Sequence, residues 1–157
     1  AADMVVVTVP FAAHDETLAA IRDAVHGKIV VDVTVPLVSP KVGRVQLPPD
    51  GAASITAARL LGADVRVVAA FQNIAAAHLR DRDYDIDCDV LVCGDDVAAR
   101  EAVIALAEAA GLRGWHAGPL ANAAAADALT SVLISINRTY RIEGAGIRIT
   151  GTPKREN

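Results

Sequence analysis

The sequence lacks several features that would each indicate a particular class of protein. No apolar run approaches the roughly 18 to 20 residues of a membrane span, and no signal peptide opens the chain. The motifs GxSxG, HExxH, CxxC and the P-loop are missing as well. The 15 basic residues are scattered among 19 acidic ones, for a net charge of −4. We therefore expect neither a membrane nor a nucleic acid as a partner.

Cysteine is also scarce. Cys88 and Cys93 lie on one short apolar segment, where an extended chain holds them too far apart to bridge. Each is predicted to be a reduced, buried core residue, which favours a cytoplasmic protein. His78 and His116 have no cysteine or carboxylate at metal-ligand spacing, so we expect no metal site.

What the sequence does contain is a regular alternation of strand and helix patterns. Short β-branched, apolar runs predict strands at 3–9, 28–35, 65–71, 88–93 and 113–117 and a closing strand at 147–150; 3–9 has the pattern of a strand buried on both faces. Amphipathic stretches predict helices at 14–27, 51–62, 96–110 and 122–141, and a short helix within 72–87, while the proline-rich segment 37–49 is predicted to be a loop. Asp96 is the expected N-cap of the fourth helix in chain order.

This alternation predicts an α/β fold, a Rossmann-type, mostly parallel sheet. We assign residues 1–117 to the later part of a dinucleotide-binding domain, 118–151 to a small C-terminal helical part with a closing strand, and 152–157 to a tail.

Small, uncharged polar groups and prolines follow the predicted strands. Ligands of such sheets bind beyond the carboxyl ends of the strands. The segments in question are Thr8-Val9-Pro10, Thr34-Val35-Pro36, Gln72-Asn73-Ile74, Cys93-Gly94-Asp95 and Gly118-Pro119-Leu120-Ala121-Asn122. They suit a flat heteroaromatic ring with amide edges, although Gln72-Asn73 can equally cap a turn and the 118–120 loop can simply begin the long helix. His14 is expected either to be exposed beside Asp15 or to touch a ligand.

Seven stretches resemble a known family, the NADPH-dependent reductases of the deazaflavin coenzyme F420. They are VTVPFAAH (7–14), GKIVVDVTVPL (27–37), DVRVVAAFQNIAAAHL (64–79), CDVLVCGDD (88–96), HAGPLANA (116–123), LTSVLISINRTY (129–140) and GIRITG (146–151). They cover nearly the whole chain in the order that the family shows.

The resemblance implies an oxidoreductase that moves a hydride between C4 of the nicotinamide of NADP(H) and C5 of F420. Direct hydride transfer needs alignment and exclusion of water more than proton transfer, so no catalytic side chain is expected. By this resemblance the cofactors contact thirteen residues: Thr8, Val9, Pro10 and His14 flank NADP, Gln72, Asn73, Ile74 and Ala75 lie where the rings meet, and Val35, Pro36, Gly118, Pro119 and Leu120 line the deazaflavin side. It also implies a homodimer, with the apolar stripe of 122–141 as interface and core.

The sequence departs from the family in its glycines. Family members open with a strand and a GxxGxxG turn that holds the pyrophosphate, and none of the eleven glycines here forms that pattern after a leading strand. We therefore expect a fragment that starts after this turn, with weak or no NADP binding, little activity and an exposed sheet edge. Two alternatives stay open: another Rossmann reductase, of ferric, flavin or imine and hydroxyacid substrates, or a non-catalytic assembly domain of oxidoreductase descent.

Overall fold

A five-stranded sheet with helices on both faces organises the chain in the computed structural model, which describes residues 2–81, 83–151 and 153. The strands are β1 (Met4–Val7), β2 (Ile29–Asp32), β3 (Arg66–Ala69), β4 (Asp89–Gly94) and β5 (Arg113–His116). The helices are α1 (His14–Ile21), α2 (Ala53–Leu61), α3 (Ala76–Arg80), α4 (Val97–Ala109) and α5 (Ala123–Tyr140), with short 3-10 turns at Phe11–Ala13, Arg22–Val25 and Leu120–Asn122. The division at 117/118 stays a prediction, and the predicted tail lies outside the described residues except for Pro153.

The strands follow the order β1-β2-β3-β4-β5 in space. β1, β2 and β3 are parallel, and β5 is parallel to β4, so the predicted α/β, mostly parallel sheet is confirmed. β2 is buried at all four positions, as expected of a central strand covered on both faces. Asp96 caps α4 as predicted, because its side chain accepts a hydrogen bond from the Ala99 amide at 2.6 Å.

One pairing runs the other way. β4 is antiparallel to β3, with Val68 opposite Gly94 and Ala69 opposite Cys93. In the described part of the connection between them there is one helix, the five-residue α3. The last two residues of β4 pair with the last two residues of β3, so β4 begins beyond the end of β3 and runs back toward it. The segments that follow β4 and β5 therefore lie toward the opposite edge of the sheet from those that follow β1, β2 and β3.

Two hydrophobic clusters fill the space on either side of the sheet. On one face Leu18 of α1 and Ala57 and Leu61 of α2 pack on Val30 and Val67. On the other face α4 covers the sheet with Ala99, Val103 and Ala107, which pack on Val68, Val90 and Val92. Alternate residues of β2 and β3 enter opposite clusters, which is the period of two expected for strands.

Two predictions about the ends of the sheet are wrong. β1 is an edge strand and is not buried on both faces: Val6 is 45% exposed, because α4 packs against β3, β4 and β5 and leaves Val6 uncovered. Residues 147–150 form no strand, although Ile147 accepts one backbone hydrogen bond from Asp89 at 2.8 Å. One backbone hydrogen bond does not make a strand pairing, and the next hydrogen bond along this segment is accepted by a side chain and not by the backbone.

That side chain belongs to Asp89, at the start of β4. Its buried carboxylate accepts hydrogen bonds from the Ile149 amide at 2.7 Å, from Trp115 Nε1 at 2.9 Å and from Arg148 at 3.2 Å. Burial alone raises the pKa of a carboxyl, but these donors outweigh it and hold the pKa of Asp89 below its usual value. The 147–149 segment is therefore attached to the sheet through Asp89.

α5 is the longest helix described, and it combines a largely apolar sequence with buried polar side chains. The stretch Leu120–Tyr140 is apolar and long enough to cross a membrane by length and composition alone, with a mean hydropathy of 1.3. It also buries Asp127 and Ser131 and packs on α2, as the core helix of a folded domain does. Of the predicted apolar stripe, Leu133 is buried, whereas Val132 and Tyr140 are 47% and 72% exposed.

We predict that Asp89→Asn lowers the free energy of unfolding by about 2–4 kcal/mol, because it leaves three donors without their carboxylate. Asp87→Asn is the matched control: Asp87 also pairs with Arg148, at 2.9 Å, but is 78% exposed, so its removal should change stability by less than about 1 kcal/mol. Urea unfolding of both variants tests this, and equal effects would contradict the assigned role of Asp89.

Candidate functional site

An apolar cavity of about 530 Å³ opens where β1, β2 and β3 end. Six of its lining residues are Thr8, Val33, Val35, Phe71, Gln72 and Ile74, and Thr130 of α5 also lines it. The three parallel strands bring together segments that are distant in sequence, as the rule for ligand sites in α/β sheets requires. We call this space the main cavity.

A second space of about 340 Å³, which we call the groove, adjoins the main cavity. Val9 and Pro10 line only the groove, whereas Thr8, Val33, Val35 and Leu37 line both spaces. Pro36 is buried beside this shared wall. The structure therefore brings together predicted site residues from the ends of β1 and β2.

Gln72, Asn73, Ile74 and Ala75 line a small cavity of about 80 Å³ between the end of β3 and α5. Asn73 is 4% exposed, and its amide donates to the Asp89 carbonyl at 2.7 Å. Only Gln72 and Ile74 of the four reach the main cavity as well. Asn73 is thus an anchor of the turn after β3.

His14 lies beneath the site and not in it. The expectation that it is exposed is wrong: it is 0% exposed, and its Nε2 lies 2.8 Å from Asp32 Oδ2, also 0% exposed. Burial works against a charged imidazole, but the hydrogen bonds and charges of Asp32 and of Asp15 outweigh it and raise the pKa of His14. We call this contact the His14–Asp32 pair.

The pair is the centre of a buried network that reaches all three candidate loops. Asp32 Oδ1 accepts from the Thr34 amide at 3.0 Å, and the Thr34 hydroxyl donates to the Val9 carbonyl at 3.3 Å. The Asp32 carbonyl accepts from Gln72 Nε2 at 3.3 Å. Thr130 then donates its hydroxyl to the Gln72 carbonyl at 2.9 Å and adds α5 to the network.

A third buried carboxyl, Asp127 of α5, faces the same region. One of its oxygens accepts from the Ala53 amide at 3.1 Å, at the start of α2, and the other has no partner among residues 2–81, 83–151 and 153. Burial first, and then the charge of Asp32, raise the pKa of Asp127 to about 7, against the opposing effects of the Ala53 amide and His14. A neutral carboxyl near pH 7 avoids the cost of a buried, incompletely paired charge.

Gly118, Pro119 and Leu120 are not brought to the main cavity. The Gly94 amide donates to the Gly118 carbonyl at 3.1 Å, and the Leu120 amide donates to Asp95 at 3.0 Å. Because β4 is antiparallel to β3, with Gly94 opposite Val68, the chain after Gly94 continues toward the start of β3 and away from the strand ends that line the main cavity. Leu120 lines a separate space of about 420 Å³. The structure therefore does not bring this loop together with Val35, and its contact with the deazaflavin stays a prediction.

Sequence reasoning missed Phe71, Asp32, Asp127 and Thr130. Asp32 carried a usable signal, because a lone carboxylate inside an apolar strand requires a buried partner. Asp127 lies in an alanine-rich helix, where only the packing reveals which face is buried. Cys93 is a core residue as expected, and burial raises its pKa to about 11, so it is not a thiolate.

Comparison with known proteins identifies relatives along the chain. A family model described as NADP oxidoreductase coenzyme F420-dependent matches residues 1–36. The F420-dependent NADP reductase of Methanocaldococcus jannaschii is 38% identical over 152 residues, covering 94% of this chain and 68% of that protein. The enzyme of the same name from Methanothermobacter thermautotrophicus is 42% identical over 160 residues, covering 99% of this chain and 69% of that protein.

The chain belongs to the F420-dependent NADP reductase family. A solved structure adds support for the fold alone: a putative F420-dependent NADP-reductase from Arthrobacter sp. FB24 superposes with a TM-score of 0.84 at 24% identity, over 96% of this chain and 70% of that one. The resemblance carried by the seven motifs is confirmed, and with it an oxidoreductase family.

For this F420-dependent NADP reductase family member, we predict that His14→Ala lowers the free energy of unfolding by about 3–5 kcal/mol, because it leaves the buried Asp32 carboxylate unpaired. His26→Ala is the matched control. His26 is 62% exposed and lies 3.7 Å from the exposed Asp64, so its loss should cost less than about 1 kcal/mol. Similar urea midpoints for the two variants would show that the pair does not hold the fold.

We predict that stability attributable to Asp127 falls as pH rises from about 4 to about 7. The folded state holds the proton up to a pKa of about 7, above the usual value of 3.8, so it binds more protons than the unfolded state in that window. Asp127→Asn should therefore gain relative to the parent chain between pH 5 and pH 8, by up to about 3 kcal/mol.

Asp50→Asn is the control for this pH series. Hydrogen bonds from Thr56 and Arg59 lower the pKa of Asp50 below its usual value of 3.8, so the contribution of Asp50 changes with pH only below about pH 5, and Asp50→Asn should run parallel to the parent between pH 5 and pH 8. Parallel curves for Asp127→Asn and the parent would contradict a raised pKa at Asp127.

Proposed function

We propose that this chain transfers a hydride between NADP(H) and the deazaflavin coenzyme F420. The observation that carries the proposal is the wall shared by the main cavity and the groove, at Thr8, Val33, Val35 and Leu37. Two planar rings that enter from the two spaces meet at this wall. The relatives named F420-dependent NADP reductase support both cofactors.

The main cavity fits a flat heteroaromatic ring. Its volume lies within the usual range for small-molecule sites, and its walls are mostly apolar with few polar groups. Gln72 Oε1 is buried and has no partner in the described part of the chain, so it offers a ready acceptor for an N–H group. When bound, the two cofactors would supply the hydride donor and acceptor, C4 of the nicotinamide and C5 of F420.

We assign the residues around the shared wall to alignment and exclusion of water. Thr8, Val9 and Pro10 contact the nicotinamide side from the groove, and Val35 and Pro36 contact the deazaflavin side. Gln72 and Ile74 form the polar and apolar ends of the main cavity beyond the wall. The carbon-to-carbon transfer needs reacting atoms about 3–3.5 Å apart in a dry site, and no proton is exchanged with a side chain.

The role of His14 in this proposal is indirect. Because it is fully buried, it acts through Asp32 and the Thr34 amide on the loop that carries Val35. Asn73 and Ala75 act in the same way from the small cavity. The part of Gly118, Pro119 and Leu120 rests on the family resemblance alone.

We further propose a cytoplasmic homodimer. Val132 and Tyr140 of α5 are large apolar side chains exposed at 47% and 72%, and burial of such a stripe in a symmetric contact is a common use of a long surface helix. The reduced, buried Cys88 and Cys93 are consistent with a reducing compartment.

The test is the change in visible absorbance of oxidised F420 on addition of NADPH. We predict weak turnover by the parent chain, in keeping with the weak NADP binding expected from its sequence, and a further fall of about 100-fold in kcat/KM for Val35→Trp, because the indole fills the shared wall and separates the rings. Val38→Trp is the matched control: Val38 is 48% exposed and lines neither space, so its kcat/KM should be unchanged.

Other outcomes would replace the proposal. A folded parent chain that oxidises NADPH with ferric citrate or FMN but not with F420 would be a reductase of another substrate. A folded chain that binds none of these and forms a stable oligomer, even after a leading strand and a glycine-rich turn are added, would be an assembly domain.

A further inference from the structure

Phe71 has a backbone conformation that is uncommon for a bulky side chain. Its φ is 69°, in the left-handed region, and Arg141 is the single other non-glycine residue of the described ranges with a positive φ. Arg141 follows the last turn of α5, a place where this conformation is usual. Phe71 follows a strand and lines the main cavity, so its conformation calls for a different explanation.

Hydrogen bonds on both sides fix the backbone around Phe71. The Ala70 amide donates to the Asp32 carbonyl at 3.3 Å, and the Phe71 carbonyl accepts from the Ile74 amide at 3.0 Å. The side chain is partly buried against the hydrophobic cluster that contains Val68 and Val90. The strained residue is therefore held by packing on one side and by a closed turn on the other.

The left-handed turn directs Gln72 back toward the end of β2. Gln72 is 5% exposed, and its Nε2 donates to the same Asp32 carbonyl at 3.3 Å. This contact leaves Oε1 buried, without a partner among the described residues, on a side chain that lines the main cavity. A buried acceptor without a donor is uncommon in a folded protein, and a water molecule or a ligand group can complete it.

We propose that Phe71 is a positioning residue whose anchored ring holds the left-handed turn and thereby keeps Gln72 Oε1 available to an N–H donor of a heteroaromatic ligand. This inference rests on the proposed function, since it takes the ring in the main cavity to be the deazaflavin of F420. A glycine at 71 adopts the same φ at no steric cost but has no side chain to fix it. Phenylalanine makes the left-handed conformation less favourable than glycine does, but its packed ring holds Gln72 in place.

A double-mutant cycle tests whether Phe71 acts through Gln72. Gln72→Met keeps the length of the side chain and removes Oε1, and Phe71→Gly removes the anchor. Each should raise the dissociation constant of oxidised F420, followed by fluorescence titration, by about tenfold. The double variant should be no weaker than the weaker single variant, because both changes remove one interaction.

Leu106→Ala provides the matched control for the cycle. Leu106 lines the main cavity from α4 but makes no hydrogen bond to the Gln72 turn, so its effect should multiply with that of Gln72→Met. Phe71→Tyr retains the ring and should bind F420 like the parent. Phe71→Asn tolerates the left-handed region without the ring and should bind like Phe71→Gly.

Three results would overturn the inference. One is a multiplicative cycle for Phe71→Gly and Gln72→Met. Another is a Phe71→Gly variant that loses stability in urea but binds F420 normally, which is the outcome of a purely structural role. The last is a folded parent chain that binds neither F420 nor NADPH, and this result would reject the proposed function together with the inference. A parent chain that turns over normally but gives a multiplicative cycle would reject the inference alone.

Discussion

The contact between His14 Nε2 and Asp32 Oδ2 is the constraint on which the site depends. A carboxylate with no exposed surface is costly unless its oxygens are paired. Asp32 meets this requirement with His14 and the Thr34 amide, and its carbonyl takes the Gln72 side chain. The ends of β1, β2 and β3 are consequently fixed relative to one another by one buried residue. The walls of the main cavity inherit that rigidity.

This arrangement separates charge from the place where chemistry is proposed. The His14–Asp32 pair lies beneath the cavity, and its charged atoms are covered by the backbone of the loops that it holds. The shared wall itself offers Thr8 and aliphatic side chains. A hydride acceptor and donor placed there meet few mobile dipoles and little water, which favours direct transfer over proton exchange. Ionisable groups here organise the site without taking part in it.

The sequence predicted all five strands, the helices and the α/β class, because those depend on local periodicity and on punctuation by glycine and proline. It did not predict the direction of β4, since the length of the connection from β3 allows β4 to run either way. The antiparallel direction places Gly118 to Leu120 away from the ends of β1, β2 and β3. His14 was misjudged because its partner Asp32 lies 18 residues away, a separation at which no local pattern applies. The sequence thus indicates which loops form the site, but it does not show the contacts between them, because those contacts join residues that are distant in sequence.

The antiparallel pairing also explains why α5 matters to the main cavity. Its first turn follows Leu120, near the start of β3, and its middle reaches Gln72 through Thr130. Between these points Asp127 accepts the Ala53 amide and fixes the height of α5 on the sheet. A helix fastened at both ends of β3 cannot slide without disturbing the turn that Gln72 occupies. The depth of the main cavity therefore depends on the C-terminal helix as much as on the strands.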